Sequence, residues 1–390
     1  MPSDLSALNL DFDPAKRAKF RRALLRWFDA NRRDLPWRVD QDPYRVWLSE
    51  IMLQQTRVGA VLNHYRYFLE RFPDVSTLAR VRLSTVLAAW SGLGYYRRAR
   101  MLHEAARQIV RQLHGSFPRT SEGWRALPGV GRYTAAAIAS ICYGECCAVV
   151  DGNVKRVLGR VVFTDRAADT QRDLALHSGR NRGLRPGALS ASRSVAAERA
   201  PVAADYWNLA QQLLSLRRPG DFNQAMMELG ATVCLPRNPR CKECPVRAIC
   251  RRASGFPRGA KGPPVRLDGG RVNLSNGKAR QQRKASEIKY FLLGRSGRIC
   301  LVRRGKQETV MPGMWELPQI MTEGPKTAPI LSLSHAIMDT DYRVRVLRID
   351  GADTAICPSP AESKWVQPSA ALRLPLTGLA RKILRRIPDI

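Results

Sequence analysis

Four cysteines, Cys234, Cys241, Cys244 and Cys250, form a C-x6-C-x2-C-x5-C series with no other cysteine inside it. Such a spacing lets four thiolates converge on one centre, so this stretch is expected to fold around a metal. Two disulfides fit less well, because no secretory segment precedes them and the remaining cysteines sit in apolar or strand-like surroundings. The spacing does not name the metal. Structural zinc usually recruits two paired knuckles, whereas only Cys241-Lys242-Glu243-Cys244 is a CxxC here, and iron-sulfur clusters accept four cysteines at more uneven spacing.

Two carboxylates are the other candidates. Asp151 interrupts the apolar stretch Val149-Val150-Asp151-Gly152-Asn153-Val154, where an acid serves either as a helix N-cap or as a reactive group. Glu50 lies in Leu48-Ser49-Glu50-Ile51-Met52, and helical spacing puts it one turn before Gln54 on the same face, with Leu48, Ile51 and Met52 anchoring the other sides. By itself a glutamate in that setting reads as a partly exposed helix charge. Upstream of Asp151, Leu127-Pro128-Gly129-Val130-Gly131-Arg132-Tyr133-Thr134 sets two glycines before an apolar helix. That turn would present backbone N–H groups to a phosphate, or would simply join two packed helices.

The elements that must position these groups differ along the chain. From about Pro14 to Cys250 apolar residues recur at helical spacing, as in Phe20, Leu24, Trp27 and Phe28, then Val46 through Phe72, then Leu83 to Trp90. Residues 166–204 break this pattern without a Phe, Tyr or Trp, and read as a flexible insertion. Residues 251–285, rich in Gly, Pro and basic side chains, read as a linker. Beyond it come β-prone runs, Tyr290–Leu293, Ile299–Val302 and Tyr342–Ile349, and a terminal helix over Leu376–Arg386. The domain boundaries are therefore set at 1–250, 251–285 and 286–390.

At 390 residues the chain is long enough for two or three domains with real cores. Its 65 Lys and Arg against 33 Asp and Glu give a net charge of +32, which favours a polyanion, since neutralising phosphates releases condensed counterions. Eight Trp and ten Tyr favour nucleic acid among polyanions. No apolar run approaches the roughly 20 residues that span a bilayer, and the N-terminus begins polar and acidic. The expectation is a cytoplasmic, soluble monomer.

Taken together and in this order, LPGVGRYTAAA, the Asp151 segment and the cysteine series resemble the endonuclease III superfamily of DNA glycosylases. The resemblance implies a mainly α helix-hairpin-helix domain, Gly129 and Gly131 as its DNA-binding turn, Asp151 as catalytic aspartate, and a [4Fe-4S] cluster on Cys234, Cys241, Cys244 and Cys250. Tyr133 replaces the lysine that strand-cutting members use to form an imine, which implies hydrolysis without lyase chemistry. Within the superfamily, residues 42–56, Gly92-Leu93-Gly94-Tyr95-Tyr96 and Asp151-Gly152-Asn153 resemble the adenine glycosylase, or MutY, family.

That family resemblance implies Glu50 as the acid for adenine departure, its pKa raised by burial, with Asp151 ionised beside the sugar and Tyr133 and Asn153 in support. It places Arg33, Trp37, Arg38 and Gln224 around the adenine, and Gln54, Gln55 and Tyr95 on DNA, the last two as wedges. Residues 288–390 resemble the family's C-terminal α+β, Nudix-like domain, in which Ser334 and His335 would form a loop reading 8-oxoguanine. Leu333 stands where the family usually has Phe, and no glutamate-rich Nudix box is present, which argues against pyrophosphate hydrolysis. The implied partner is duplex DNA with adenine opposite 8-oxoguanine or guanine. Arg237, Arg240, Lys242 and Arg247 would line a basic loop around the thiolates.

Overall fold

The computed structural model describes residues 13–162, 206–254, 284–305, 307–308, 311–319, 328–337, 340–350 and 363–387. The insertion read at 166–204 lies outside them, as does most of the linker read at 251–285. Described residues fall into two compact units, one within Met1–Trp47 and Pro118–Arg266, the other within Leu48–Phe117 and Leu267–Ile390. Contact, not chain order, defines these units.

The first unit is helical. Helix α1 (Pro14–Asn31) begins with proline in its first turn, and the Asp13 carboxylate caps it by accepting from the Lys16 N–H at 2.7 Å. Its four-residue spacing of Phe20, Leu24 and Phe28 buries one face. Helix α2 (Pro43–Leu53) crosses into the second unit, where α3 (Val58–Arg71), α4 (Val75–Arg80), α5 (Leu83–Trp90) and α6 (Arg97–Gln112) follow. The chain returns to the first unit with α7 (Ser121–Arg125), α8 (Arg132–Tyr143), α9 (Gly152–Val162), α10 (Tyr206–Leu213), α11 (Pro219–Thr232) and the short α12 (Arg251–Ser254).

Phe20, Leu24 and Phe28 of α1 join Ala137, Val157, Leu213, Phe222 and Leu229 in one buried cluster, which draws α1, α8, α9, α10 and α11 together. Helices α9 and α11 approach very closely at Gly230, where an added Cβ would stand 2.5 Å from the Asn153 Cβ. Glycine there is a packing requirement that also fixes the start of α9.

In the second unit, β1 (Lys284–Arg295), β2 (Arg298–Arg303), β3 (Trp315–Glu316), β4 (Leu331–Ile337), β5 (Thr340–Asp350) and β6 (Ser363–Val366) form a mixed sheet in the order β3-β2-β1-β5-β4. Strand β6 pairs with β2, and β1 runs parallel to β5 while the other pairs are antiparallel. The alternation of Tyr342, Val344 and Val346 with arginines produces this geometry. Val344 and Val346 pack with Tyr290 and Leu292 against α14 (Gly378–Leu384), which follows α13 (Pro368–Ala371), while Arg343 faces out.

The sheet region and the corner between α5 and α6 belong to the same unit and share buried and half-buried polar contacts. The Ser91 hydroxyl donates to the Leu376 carbonyl at 2.9 Å and accepts from Arg381 Nε at 2.6 Å. The Tyr96 hydroxyl donates to the same carbonyl at 3.3 Å, and Arg100 Nη2 donates to the Pro312 carbonyl at 2.7 Å. Among the described residues no helix is long and apolar enough to cross a membrane.

Candidate active site

Asp151 stands immediately before α9. Its Oδ1 accepts the Val154 N–H at 2.7 Å and its Oδ2 accepts from Asn153 Nδ2 at 3.0 Å, so the residue is the helix N-cap. The two readings left open by the sequence are thus compatible, since the cap holds the carboxylate in one orientation. Burial pushes the Asp151 carboxyl above its ordinary value, opposed by the Val154 and Asn153 hydrogen bonds and by the Arg156 charge.

Asn153 is itself held from behind. Arg156 Nη2 donates to Asn153 Oδ1 at 2.8 Å and to the Gly230 carbonyl at 2.7 Å, while its Nε donates to the Cys234 carbonyl at 2.9 Å. The aspartate, the asparagine, α11 and the first cysteine are therefore joined through one guanidinium. Arg156 was not singled out from sequence, although its i,i+3 relation to Asn153 was a signal that could have found it.

Tyr133 lies in the first turn of α8, its hydroxyl 3.0 Å from Met227 Sδ on α11. The turn before α8 contains Gly129 at φ 78°, a conformation that calls for glycine, whereas Gly131 is an extended N-cap at φ −85° with open space around it. Only the first of the two glycines is demanded by the backbone.

Of the residues expected around an adenine, Trp37 is buried in a short 3₁₀ turn and Gln224 is half-buried on α11. Arg33 and Arg38 are engaged by Glu228, which the sequence reading missed. Arg33 binds it with Nε at 2.6 Å, Nη2 at 2.8 Å and its backbone N–H at 3.2 Å, and Arg38 Nη2 adds a further bond at 3.0 Å. Burial would raise the Glu228 carboxyl, but the Arg33 hydrogen bonds and the Arg38 charge outweigh it and hold the group below its usual range. A glutamate among Phe222, Ala225, Met226 and Leu229 on α11 had to find cationic partners.

Glu50 is 8 % exposed near the end of α2, with Leu48, Ile51 and Met52 buried around it as expected. Gln54 does not share its helical face: α2 ends at Leu53, and Gln54 and Gln55 form the following turn. The helix stops because Gln55 adopts a left-handed φ of 56°. Tyr95, also left-handed at φ 48°, is 59 % exposed, and Gln55 is exposed too. Both are thus available to meet another molecule.

Cys234, Cys241, Cys244 and Cys250 border one concavity of about 720 Å³. Among the described residues, no three His, Cys, Asp or Glu side chains stand close enough to hold a metal ion. The chemistry of the donor set nevertheless fits a thiophilic centre. Arg160 Nη1 lies 3.4 Å from Cys234 Sγ, and burial pushes the Cys244 thiol up to about 12, with Cys241 and Cys250 raised for the same reason. Buried thiols of this kind become thiolates only beside strong positive charge.

Leu333, Ser334 and His335 form part of strand β4, which corrects the expectation of a loop. Ser334 pairs with Arg343 and His335 with Tyr342, so their side chains leave opposite faces of the sheet. Neighbouring residues of an extended strand cannot converge as loop residues can. Burial and the Lys382 charge lower the His335 pKa.

Residues 48–178 match the family model described as HhH-GPD superfamily base excision DNA repair protein. That segment, which carries Asp151 and the turn of Gly129 and Gly131, is of this superfamily. The chain is 44% identical to the human protein named adenine DNA glycosylase over 260 residues, 64% of this chain and 42% of that protein. The Arabidopsis thaliana protein of the same name is 34% identical over 340 residues, 80% of this chain and 49% of the relative. The chain thus spans about half the length of the curated relatives it matches. A solved thermostable thymine-DNA glycosylase aligns at 27% identity and a TM-score of 0.49, covering 62% of this chain and 98% of that one.

Proposed function

We propose that this chain is a monofunctional adenine DNA glycosylase, hydrolysing the N-glycosidic bond of adenine opposite 8-oxoguanine or guanine in duplex DNA. The observation that carries the reading is the Asp151 carboxylate, fixed at the N-terminus of α9 by two hydrogen bonds, in a chain 44% identical to the human enzyme over 260 residues.

Adenine is a poor anionic leaving group, so Glu50 donates a proton to the base as the glycosidic bond lengthens, then activates the attacking water. Asp151 acts ionised, stabilising the oxocarbenium-like sugar. Its hydrogen bonds and the positive end of α9 favour that state, while burial strengthens its interaction with developing positive charge. Asn153 orients Asp151, and Tyr133, lacking an amine, supports the sugar without forming an imine.

The adenine leaves the stack before reaction, next to Trp37, Gln224 and the Arg33–Glu228–Arg38 triad. Gln55 and Tyr95 enter the duplex where it departs, the Gln54 turn follows the backbone, and the turn of Gly129 and Gly131 binds phosphate. Ser334 and His335 contribute to reading 8-oxoguanine. Cys234, Cys241, Cys244 and Cys250 would hold a [4Fe-4S] cluster, which supplies the charge that keeps four thiolates together. The same loop presents Arg237, Arg240, Lys242 and Arg247 to phosphates.

A duplex with adenine opposite 8-oxoguanine, incubated with the protein and treated with alkali, should break at the adenine; an intact strand ends the proposal. Glu50→Gln should abolish the break and leave duplex binding within about threefold. Iron and sulfide analysis tests the cluster, and stoichiometric zinc in its place would refute that assignment.

A further inference from the structure

The geometry points to Arg98 as a further positioning residue, one that holds Gln55 and Tyr95 in the conformation with which they enter the duplex. The inference rests on the wedge role proposed for those two side chains.

Both residues have left-handed backbones, at φ 56° and 48°, although neither is glycine. Such conformations persist where the surroundings over-determine them. Here the surroundings converge on one guanidinium. Arg98 Nη1 donates to the carbonyls of Ile51 at 2.9 Å, Met52 at 2.8 Å and Gln54. Its Nη2 donates to the Thr56 hydroxyl at 3.0 Å and to the carbonyls of Gly94 at 3.3 Å and Leu93 at 3.4 Å. These contacts flank Gln55 on both sides and fix the two residues before Tyr95. The guanidinium also lies 5.3 Å from the Tyr95 ring centroid and 5.5 Å from that of Trp90, so it restrains the ring as well as the backbone.

Capping α2 would account for the Ile51 and Met52 bonds alone, because the last carbonyls of a helix lack intrahelical partners. It does not account for Thr56, Leu93, Gly94 or the Tyr95 ring. All six hydrogen-bond partners are neutral oxygens, so the arginine is placed by geometry and not by an ion pair. Lysine, with three N–H donors on one nitrogen and no planar fork, cannot reach all six oxygens at once.

The test uses the full chain and a duplex with adenine opposite 8-oxoguanine and 2-aminopurine beside the target adenine. A fluorescence rise on binding reports unstacking, and single-turnover excision is followed in parallel. Arg98→Ala should bind within about threefold, lose most of the rise and excise about 10- to 100-fold more slowly. Arg98→Lys, which keeps the charge, should also lose most of the rise, and it decides the matter if the alanine variant fails to fold. The Tyr95→Ala, Arg98→Ala double variant should be no slower than the slower single variant, within about threefold. A full rise in Arg98→Lys, or losses that multiply in the double variant, overturns the inference. Absence of the rise in the unaltered chain also overturns it. A rise without adenine excision in the unaltered chain sinks the proposed activity alone and leaves the role of Arg98 standing.

Discussion

The N-terminus of α9 and the C-terminus of α2 are both helix ends that carry candidate functional groups, and they are secured in different ways. At α9, Asp151 binds the Val154 N–H and Asn153, residues within one turn. At α2, the closing partner is Arg98, more than 40 residues away, reaching Ile51, Met52 and Gln54. The first end is made by local sequence, and the second exists only once α6 has packed. Capping at α9 fixes a single carboxylate, whereas closure at α2 fixes two backbone segments together.

Removing charge at the local end should have the largest effect. Asp151→Asn is expected to slow excision by at least about 10³-fold, about 4 kcal/mol of transition-state stabilisation, in single-turnover assays. Retained excision would make the residue only a cap. The same variant tests the burial that raises the Asp151 pKa above its ordinary 3.8. An acid whose folded pKa is raised stabilises the fold most below its unfolded value, and that contribution is lost as pH rises through the folded value. The melting temperature of Asp151→Asn relative to the native chain should therefore increase from acid to neutral pH, and a constant difference would contradict the raised pKa.

Next in size is Glu228→Gln, which leaves Arg33 and Arg38 without their shared carboxylate. Denaturant unfolding should show a loss of about 3 kcal/mol. Gly230→Ala should cost about 1–3 kcal/mol by overpacking, and should also slow excision because the clash falls on Asn153. A stability loss without slower excision would separate α9 packing from the placement of Asp151. The smallest effect belongs to the distant end: Thr56→Ala removes one of the Arg98 contacts and should cost about 1 kcal/mol or less.

The same contrast explains what could be read from residues alone. The α1 stripe, the strands near Tyr290, Ile299 and Tyr342, and the Asp151 cap depend on short-range spacing, and all were legible. Glu228 with Arg33 and Arg38, and Arg98 with the α2 end, pair residues far apart in the chain, so no window contained them. The end of α2 was missed because Gln54 falls at helical spacing from Glu50 while Gln55 breaks the backbone, and glutamine carries no turn signal of its own. Strand β4 was mistaken for a loop because Leu333-Ser334-His335 was assigned by likeness to a motif and not by its alternation with Leu331.

Strand β4 also imposes a parity rule on the C-terminal sheet. With Ser334 opposite Arg343 and His335 opposite Tyr342, a ligand lying on either face meets one of the two side chains, never both. A slip of one residue between β4 and β5 would exchange them, turning histidine to the face where serine had been, with every other residue of the strand inverted as well. What this surface can recognise is therefore written in the registry of two strands as much as in the identity of the residues they carry.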